Sequence, residues 1–249
     1  MTNTLYLPEL REMLAENNAA ELKEFCIALH PARTAEFMEG LSAAESWEVL
    51  RHTDPATRME IFSYFAPEKQ IESIQTIDRG EIVHLIADLP PDERVDILER
   101  VDPRIVDELL TMLPADERRD ILRLRSYPER TAGAMMTTQF ARLSAHLTVS
   151  QAVDELRRQA EELETVYYLY VVDEGDHLRG LVSLRQLVLA KPSVLVNDLM
   201  ERAVVSVDVT DDQEEVARKL ARFDFLAIPV IDHEHHLVGI ITHDDVIDV

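Results

Sequence analysis

The sequence predicts an α plus α/β protein, in which a superhelix of short α-helices is followed by one small β-α-β-β-α module present twice. Two observations predict this architecture: turn residues recur at a short interval in the first half, and a set of landmarks repeats in the second. With 249 residues, of which 46% are hydrophobic, the chain is long enough to bury the cores of two domains. The predicted domains are residues 1–128, 129–192 and 193–249.

The charge of the chain excludes one class of partner. Acidic residues outnumber basic residues by 48 to 25, and the formal net charge is −23. Such a chain repels phosphate backbones, so we expect no nucleic-acid partner, and cations are its natural counterparts. No apolar run approaches the length of about 18 residues that a membrane-spanning helix needs, which predicts that these residues are soluble.

The first half predicts a series of short helices. Apolar residues between the turns follow the spacing of one helical face, as at Ile82, Leu85, Ile86 and Leu89. Proline costs little at a helix start, because the N–H group at that position has no intrahelical partner. The residues that mark the predicted turns are Pro31, Ser42, Pro55, Pro67, Gly80, Pro91, Pro103 and Pro114.

Neighbouring residues support these helix starts. Asp54 and Asp102 precede two of the prolines and are suited to cap the helices that follow. Helices of two to three turns are not stable alone in water, so they must stack on one another. We therefore expect a compact superhelix over roughly residues 20–125, with carboxylates on its solvated outer faces.

The second half contains each landmark twice. Methionine segments lie at residues 134–137 and 198–201, and an amphipathic helix follows in each copy, after Thr148 and after Thr210. Apolar runs of the buried-strand type come next, at residues 166–173 and 227–232. A turn, a second strand and a helix then close each copy. Matching landmarks are 59 to 64 residues apart, which places the length differences in loops.

These landmarks resemble the CBS module (the cystathionine β-synthase type), which associates in pairs. The resemblance implies that a Gly-x-x-Thr/Ser-x-x-Asp pattern at the end of the last strand can hold an adenosine nucleotide. The hydroxyl would lie near phosphate, and the carboxylate would accept hydrogen bonds from the ribose hydroxyls. The second copy contains the full pattern at Gly239, Thr242 and Asp245.

The first copy departs from this pattern. It has Gly180 and Ser183, but Gln186 stands where the ribose carboxylate is expected, which argues against a second nucleotide site. The resemblance implies Tyr170 and Arg185 as base and phosphate contacts. The alternative, that glycine and hydroxyl only shape the turn into the last helix, stays open.

The second copy is strongly acidic. From Asp198 onward there are 13 acidic and 4 basic residues, a density of like charge that is costly unless it is neutralised. Asp245 and Asp248 are spaced to share one face of a helix, and Asp224 is predicted to begin the edge of the neighbouring strand. Oxygen ligands of this kind suit hard cations such as Mg²⁺, which retains waters and contacts one or two carboxylates.

Over the whole chain, an acidic superhelix followed by two CBS modules resembles the cytosolic region of MgtE-type magnesium transporters. The segments that carry the resemblance are residues 164–173, 212–217, 223–230 and 238–248. It implies a homodimer formed through the CBS modules at the cytoplasmic face of a membrane, with a connecting helix and transmembrane segments outside these residues. The implied Mg²⁺ ligands are Asp224, Asp245, Asp248 and Glu214, with Glu60, Asp88 and Asp92 from the helical domain.

We therefore expect a regulatory region rather than an enzyme, in which bridging Mg²⁺ closes the helical and CBS domains and gates a membrane part. One alternative is a stand-alone CBS sensor of adenine nucleotides such as ATP that regulates a partner protein. Transition-metal binding is disfavoured because the histidines crowd one turn without the spacing of a cage, and a hydrolase because the serines lack a nucleophile elbow. The residues weighed for these chemistries are His233, His235, His236 and His243, and Ser126, Ser144, Ser183 and Cys26.

Overall fold

The computed structural model describes residues 6–160 and 163–247. Asp248, one of the predicted cation ligands, lies outside the described residues. The chain divides into two compact units. The first comprises the chain up to Leu89 together with Glu93–Ile121, and the second comprises Pro90–Asp92 and the chain from Leu122 onward. No helix in the described residues is both long and apolar enough to cross a lipid bilayer.

The helical half begins its helices where the turn residues predict. Asp54 accepts the N–H of Thr57 at 3.0 Å, and Asp102 accepts the N–H of Arg104 at 2.8 Å, so both predicted caps are confirmed. The helices are α1 (Leu7–Ala15), α2 (Ala19–Ala28), α3 (Pro31–Phe37), α4 (Ala43–Leu50), α5 (Pro55–Ser63), α6 (Pro67–Thr76), α7 (Arg79–Asp88), α8 (Pro91–Glu99), α9 (Pro103–Met112) and α10 (Ala115–Leu124).

These short helices stack in an alternating order. Helix α3 packs on α5, α4 on α6, α5 on α7, and α7 on α9, so these helices contact their next-but-one neighbours. The apolar faces fill the interior, where Ile61, Phe62, Ile82, Ile86 and Leu109 are completely buried. Because none of these helices exceeds 10 residues, this burial rather than intrinsic propensity stabilises them, as expected for a superhelix.

The second unit contains two three-stranded sheets of the same topology. In the first copy β1 pairs in parallel with β2, and β2 pairs in antiparallel with β3; the second copy repeats this with β4, β5 and β6. The elements are α11 (Ala132–Met135), β1 (Phe140–Ser144), α12 (Val149–Gln159), β2 (Thr165–Val172), β3 (Leu178–Ser183), α13 (Leu184–Leu189), α14 (Val196–Leu199), β4 (Val207–Asp208), α15 (Gln213–Phe223), β5 (Ala227–Ile231) and β6 (Leu237–Thr242).

Three details of the second copy differ from the sequence prediction. Asp212, not Thr210, caps α15, because its carboxylate accepts the N–H of Glu214 while Thr210 bonds to Asp208. The closing segment is a 3₁₀ turn over Asp244–Val246 rather than an α-helix within the described residues. Asp224 ends α15 in the left-handed conformation (φ 54°) instead of lying at a strand edge.

The two copies interlock through their leading segments. Thr137, which precedes β1, pairs with Ile240 of the second copy through N–H···O bonds of 2.9 and 3.0 Å. Leu181 of the first copy pairs in the same way with Glu201, which precedes β4, with both bonds at 2.9 Å. Each sheet is therefore extended by a segment belonging to the other copy.

A hydrophobic core joins the two copies. Tyr170, Phe140, Ala227, Leu237 and Ile240 form this core and are almost fully buried. Each copy thus buries one sheet face against the other, which accounts for the continuous apolar runs in the sequence.

Candidate functional site

The predicted nucleotide pattern lies at the end of β6. The Thr242 N–H donates to the Asp245 carboxylate at 2.9 Å, and the Thr242 hydroxyl lies 2.6 Å from both the Asp244 and the Asp245 carboxylates. Gly239 is buried against Met136, and a Cβ atom there would approach the Met136 sulfur to 2.6 Å. All three predicted residues therefore have local structural roles, of the kind that the alternative interpretation requires.

The first copy shows the same arrangement with an amide in place of the acid. The Ser183 hydroxyl accepts the N–H of Gln186 at 3.2 Å, and the Gln186 side chain accepts the N–H of Ser183 at 2.7 Å. This reciprocal pair is a capping box at the start of α13. Gln186 thus makes the backbone contact that Asp245 makes in the second copy, but it contributes no charge.

Asp245 is the carboxylate in this region whose environment is most unusual. Burial raises the pKa of its carboxyl group, and the hydrogen bonds from Thr242 only partly oppose that shift. A half-buried carboxylate with a raised pKa gains by acquiring a cation or a hydrogen-bond donor. Such a group suits either of the two predicted ligands, Mg²⁺ or a ribose diol.

The predicted base and phosphate contacts lie in different environments. Tyr170 is fully buried in the core between the copies, and its ring therefore presents no face to a ligand in this structure. Arg185 is exposed on α13, two residues beyond Ser183. Tyr168 is not among the predicted contacts, but it pairs with Ser183 across the sheet and is only partly buried. Tyr168 lies two residues before Tyr170 on β2, and this spacing is the sequence feature that could have indicated Tyr168.

One backbone hydrogen bond links the segments that carry two of the predicted cation ligands, Asp224 and Asp245. The N–H of His243 donates to the carbonyl of Leu226 at 2.9 Å, which ties the segment after Asp224 to the turn that carries Asp245. Asp224 is exposed, and its carboxylate has no hydrogen bond or ion pair among the described residues. Glu214 is different, because it already pairs with Arg218 at 2.7 Å.

The predicted ligands of the helical half are on its surface or partly buried. Glu60 and Asp88 are exposed, and neither carboxylate has a partner within the described part of the chain. Asp92 is partly buried near the start of α8. Across residues 6–160 and 163–247, no group of three or more His, Cys, Asp or Glu side chains is close enough to hold a metal ion. Within these residues, no metal site gathers three or more of the predicted ligands.

The histidines form pairs with carboxylates rather than a cage. His233 lies 3.2 Å from Asp208, and His236 lies 2.9 Å from Asp232, which raises the pKa of His236. The rings of His177 and His236 pack with their centroids 4.5 Å apart, where the hairpins of the two copies meet. These contacts give His233 and His236 structural roles in the turn.

Fold and site together define a helical domain followed by a pair of regulatory CBS modules. Residues 29–130 match the family described as the MgtE intracellular N domain, and residues 132–193 and 196–249 match the CBS domain. The chain belongs to the MgtE family of magnesium transporters and corresponds to their cytosolic region.

Similar structures and sequences agree with this assignment. The crystal structure of the soluble part of a magnesium transporter is 34% identical, with a TM-score of 0.90 over 97% of this chain and 95% of that chain. The cytosolic domain of the Mg²⁺ channel MgtE in complex with ATP is 36% identical, with a TM-score of 0.89 over 96% and 98%. The magnesium transporter MgtE of Enterococcus faecalis is 48% identical over 126 residues, which span 51% of this chain but only 28% of that protein.

Proposed function

We propose that this chain is the Mg²⁺-sensing regulatory region of a magnesium channel or transporter. In the proposal, Mg²⁺ binds carboxylates of the helical and CBS domains, favours a closed homodimer and thereby gates a membrane part. The observation that supports it most directly is the pair of carboxylates at Asp224 and Asp245. Asp224 is exposed and has no partner among the described residues, the Asp245 carboxyl group has a raised pKa, and one backbone hydrogen bond links their segments.

Electrostatics gives the direction of the response. Two carboxylates about 4 Å apart repel by about 1 kcal/mol in water, and by more where water is excluded. A bridging Mg²⁺ replaces this repulsion by attraction, and its retained waters allow it to serve ligands that are not in direct contact. Only the difference in Mg²⁺ affinity between closed and open forms shifts the population.

The expected outcome is a compaction of the chain when Mg²⁺ is added, measured by small-angle X-ray scattering. Changing Asp224, Asp245 and Asp248 together to Asn should abolish that compaction, because it removes three of the four predicted ligands of the second copy. A matched control carries the same charge change at exposed carboxylates elsewhere, Asp116→Asn, Asp154→Asn and Asp198→Asn, and should respond like the original chain. A chain that does not compact at millimolar Mg²⁺, or a control that fails equally, contradicts the proposal.

Adenine nucleotide is the second candidate ligand, supported by the 36% identical relative whose structure contains ATP. The same scattering series with ATP in place of Mg²⁺ separates the two functions. A response to ATP alone favours a nucleotide sensor that regulates a partner. A response to Mg²⁺ that ATP does not reproduce favours the cation sensor.

A further inference from the structure

The first CBS copy contains a groove that neither predicted ligand uses. It has a volume of about 830 Å³ and lies where β1 and β2 end, beside the hairpin that joins β2 to β3. The pattern residue Ser183 pairs with Tyr168 near the start of β2, whereas the groove is lined by Val172 and Asp173 at its other end. The groove is therefore separate from the candidate nucleotide site.

Its position is one that favours ligands. β1 and β2 are parallel, and crevices at the carboxyl ends of parallel strands are common binding places in α/β sheets. A volume of this size falls within the range of about 300–1,000 Å³ that small-molecule sites occupy.

Two of the four lining carboxylates, Asp173 and Glu155, have donors already, whereas Glu174 and Asp176 are exposed. The Asp173 carboxylate accepts bonds from Arg179, from the His177 ring and from two backbone N–H groups, and Glu155 accepts bonds from Arg158 and Gln159. Arg142 lies over the Phe140 ring, 4.5 Å from its centroid.

Arg142 is the group that indicates the charge of the ligand. Among the described residues no carboxylate pairs with its guanidinium, although the chain carries a net charge of −23. Ser144 and His146, also in the lining, place a hydroxyl and an imidazole on the same edge of the sheet. A guanidinium without a partner beside such groups suits the oxygens of a phosphate or a carboxylate.

The second copy provides an internal comparison. The strand registers and helix caps align β1 with β4 and α12 with α15 at an offset of 64 residues, since Leu143 faces Val171 as Val207 faces Val230, and Thr148 caps α12 as Asp212 caps α15. At this offset, the second copy has neutral or acidic residues where the first copy has the hydrogen-bond donors of the groove. Ser206 stands for Arg142, Asp208 for Ser144 and Thr210 for His146.

The carboxylates at and near these positions of the second copy are already hydrogen-bonded or paired by residues of the same copy. Asp208 accepts bonds from the N–H and hydroxyl of Thr210, at 3.0 and 2.7 Å. Lys219, at the position of Glu155, pairs with Asp211 at 2.9 Å. Among these aligned positions of the described residues, an arginine without a carboxylate partner occurs only in the first copy.

We propose that the groove binds a small organic anion through Arg142, by a phosphate or a carboxylate group. Inorganic phosphate and citrate serve as probes that distinguish these two chemistries. Binding to the complete 249-residue chain in metal-free buffer is followed by NMR shifts of backbone amides and by calorimetry. Saturable shifts centred on residues 142–147 and 173–179 are expected with at least one of the probes.

Substitutions that copy the other module test the role of Arg142. Arg142→Ser introduces the residue that the second copy has at this position, so the fold should persist, as a dispersed amide spectrum would verify. Loss of a charge-assisted contact should weaken anion binding about tenfold or more. Arg157→Ser, an exposed α12 residue paired with Asp154, makes the same charge change and should alter binding less than about twofold.

Three results would overturn the proposal. The first is no binding of either probe up to about 10 mM, which is too weak for a built site. The second is equal weakening by Arg142→Ser and Arg157→Ser, which would indicate only a general charge effect. The third is a set of shifts centred on residues 183–186 or 242–245, which would place the anion at the nucleotide pattern instead.

Discussion

Tyr170 is a residue at which hydrophobic packing and hydrogen bonding compete. Its ring is completely buried and contacts the Phe140 ring edge-on, with centroids 6.0 Å apart. Its hydroxyl has no hydrogen-bond partner among the described residues, and burial raises its pKa. An unpaired buried hydroxyl costs about 1–3 kcal/mol, so this position contributes less stability than its buried area suggests.

We therefore expect Tyr170→Phe to stabilise the CBS pair by about 1 kcal/mol, because it removes the unpaired hydroxyl and retains the ring. Urea unfolding with unchanged slope would measure this as a higher midpoint. Tyr168→Phe, on the same strand but only partly buried, serves as the control and should change the midpoint little. A lower midpoint for Tyr170→Phe would mean that its hydroxyl is satisfied in solution.

At the scale of single residues, the sequence predicted which positions correspond better than it predicted their hydrogen-bond partners. It identified Asp245 and Gln186 as matching positions, and the structure places both on a backbone N–H at the start of the following turn. It did not predict Arg94, which is 1% exposed and donates to the carbonyls of Ala87 and Leu89 at 2.8 Å. A buried arginine depends on carbonyls that the fold brings together, which no local pattern contains.

Capping residues stabilise the starts of the short helices. Asp54, at the start of α5, allows the contribution of one cap to be measured. Its pKa is lowered because the N–H and then the hydroxyl of Thr57 donate to its carboxylate. A carboxyl group whose pKa is lower in the folded state stabilises the protein at pH values above its unfolded pKa of about 3.9. That stabilisation is lost as the pH falls through the lower pKa that Asp54 has in the folded state. Asp54→Ala should cost about 1 kcal/mol at pH 7, and the loss should shrink as the pH falls below about 4.

Asp54→Asn separates the cap from the charge. Asparagine caps about as well as aspartate, so this variant should lose little stability, and its stability should depend less on pH than that of the original chain. Unfolding by urea at several pH values compares the three proteins. A loss in Asp54→Ala that stays constant from pH 7 to acid pH would show that the charge on Asp54 contributes nothing.

Among the elements, the helix starts and the duplicated strands were predictable because proline, caps and apolar periodicity act locally. The errors lie where two local options compete. Thr210 and Asp212 both suit a cap, and the hydroxyl of Thr210 is used by Asp208 instead. Asp224 adopts a left-handed turn that aspartate tolerates but the sequence does not require. The cation ligands of both domains stay predictions, because no local pattern determines which carboxylates share an ion.

At the scale of the CBS pair, the exchange of leading segments makes the two copies one folding unit. Met136, ahead of β1, is fully buried against Gly239 of β6, and Met200, ahead of β4, lies against Gly180 of β3. Each glycine permits a close approach that a Cβ atom would block. Neither copy buries its sheet without the other, so we expect the pair to unfold as one unit.

Gly239→Ala tests this interdependence. The added Cβ atom would lie 2.6 Å from the Met136 sulfur, and crowding in a packed core costs about 1–3 kcal/mol. Hydrogen exchange measured by mass spectrometry should show peptides of β2 and β5 losing protection together, although the substitution lies in the second copy only.

Adding Met136→Ala should relieve the crowding and reduce the effect of Gly239→Ala, a coupling of about 0.5–3 kcal/mol. Gly180→Ala should cost at least as much as Gly239→Ala, because its Cβ atom would lie 2.8 Å from the Met200 sulfur and 2.9 Å from the backbone carbonyl oxygen of Glu201, which cannot move aside. Loss of protection confined to the second copy would show that the copies fold independently.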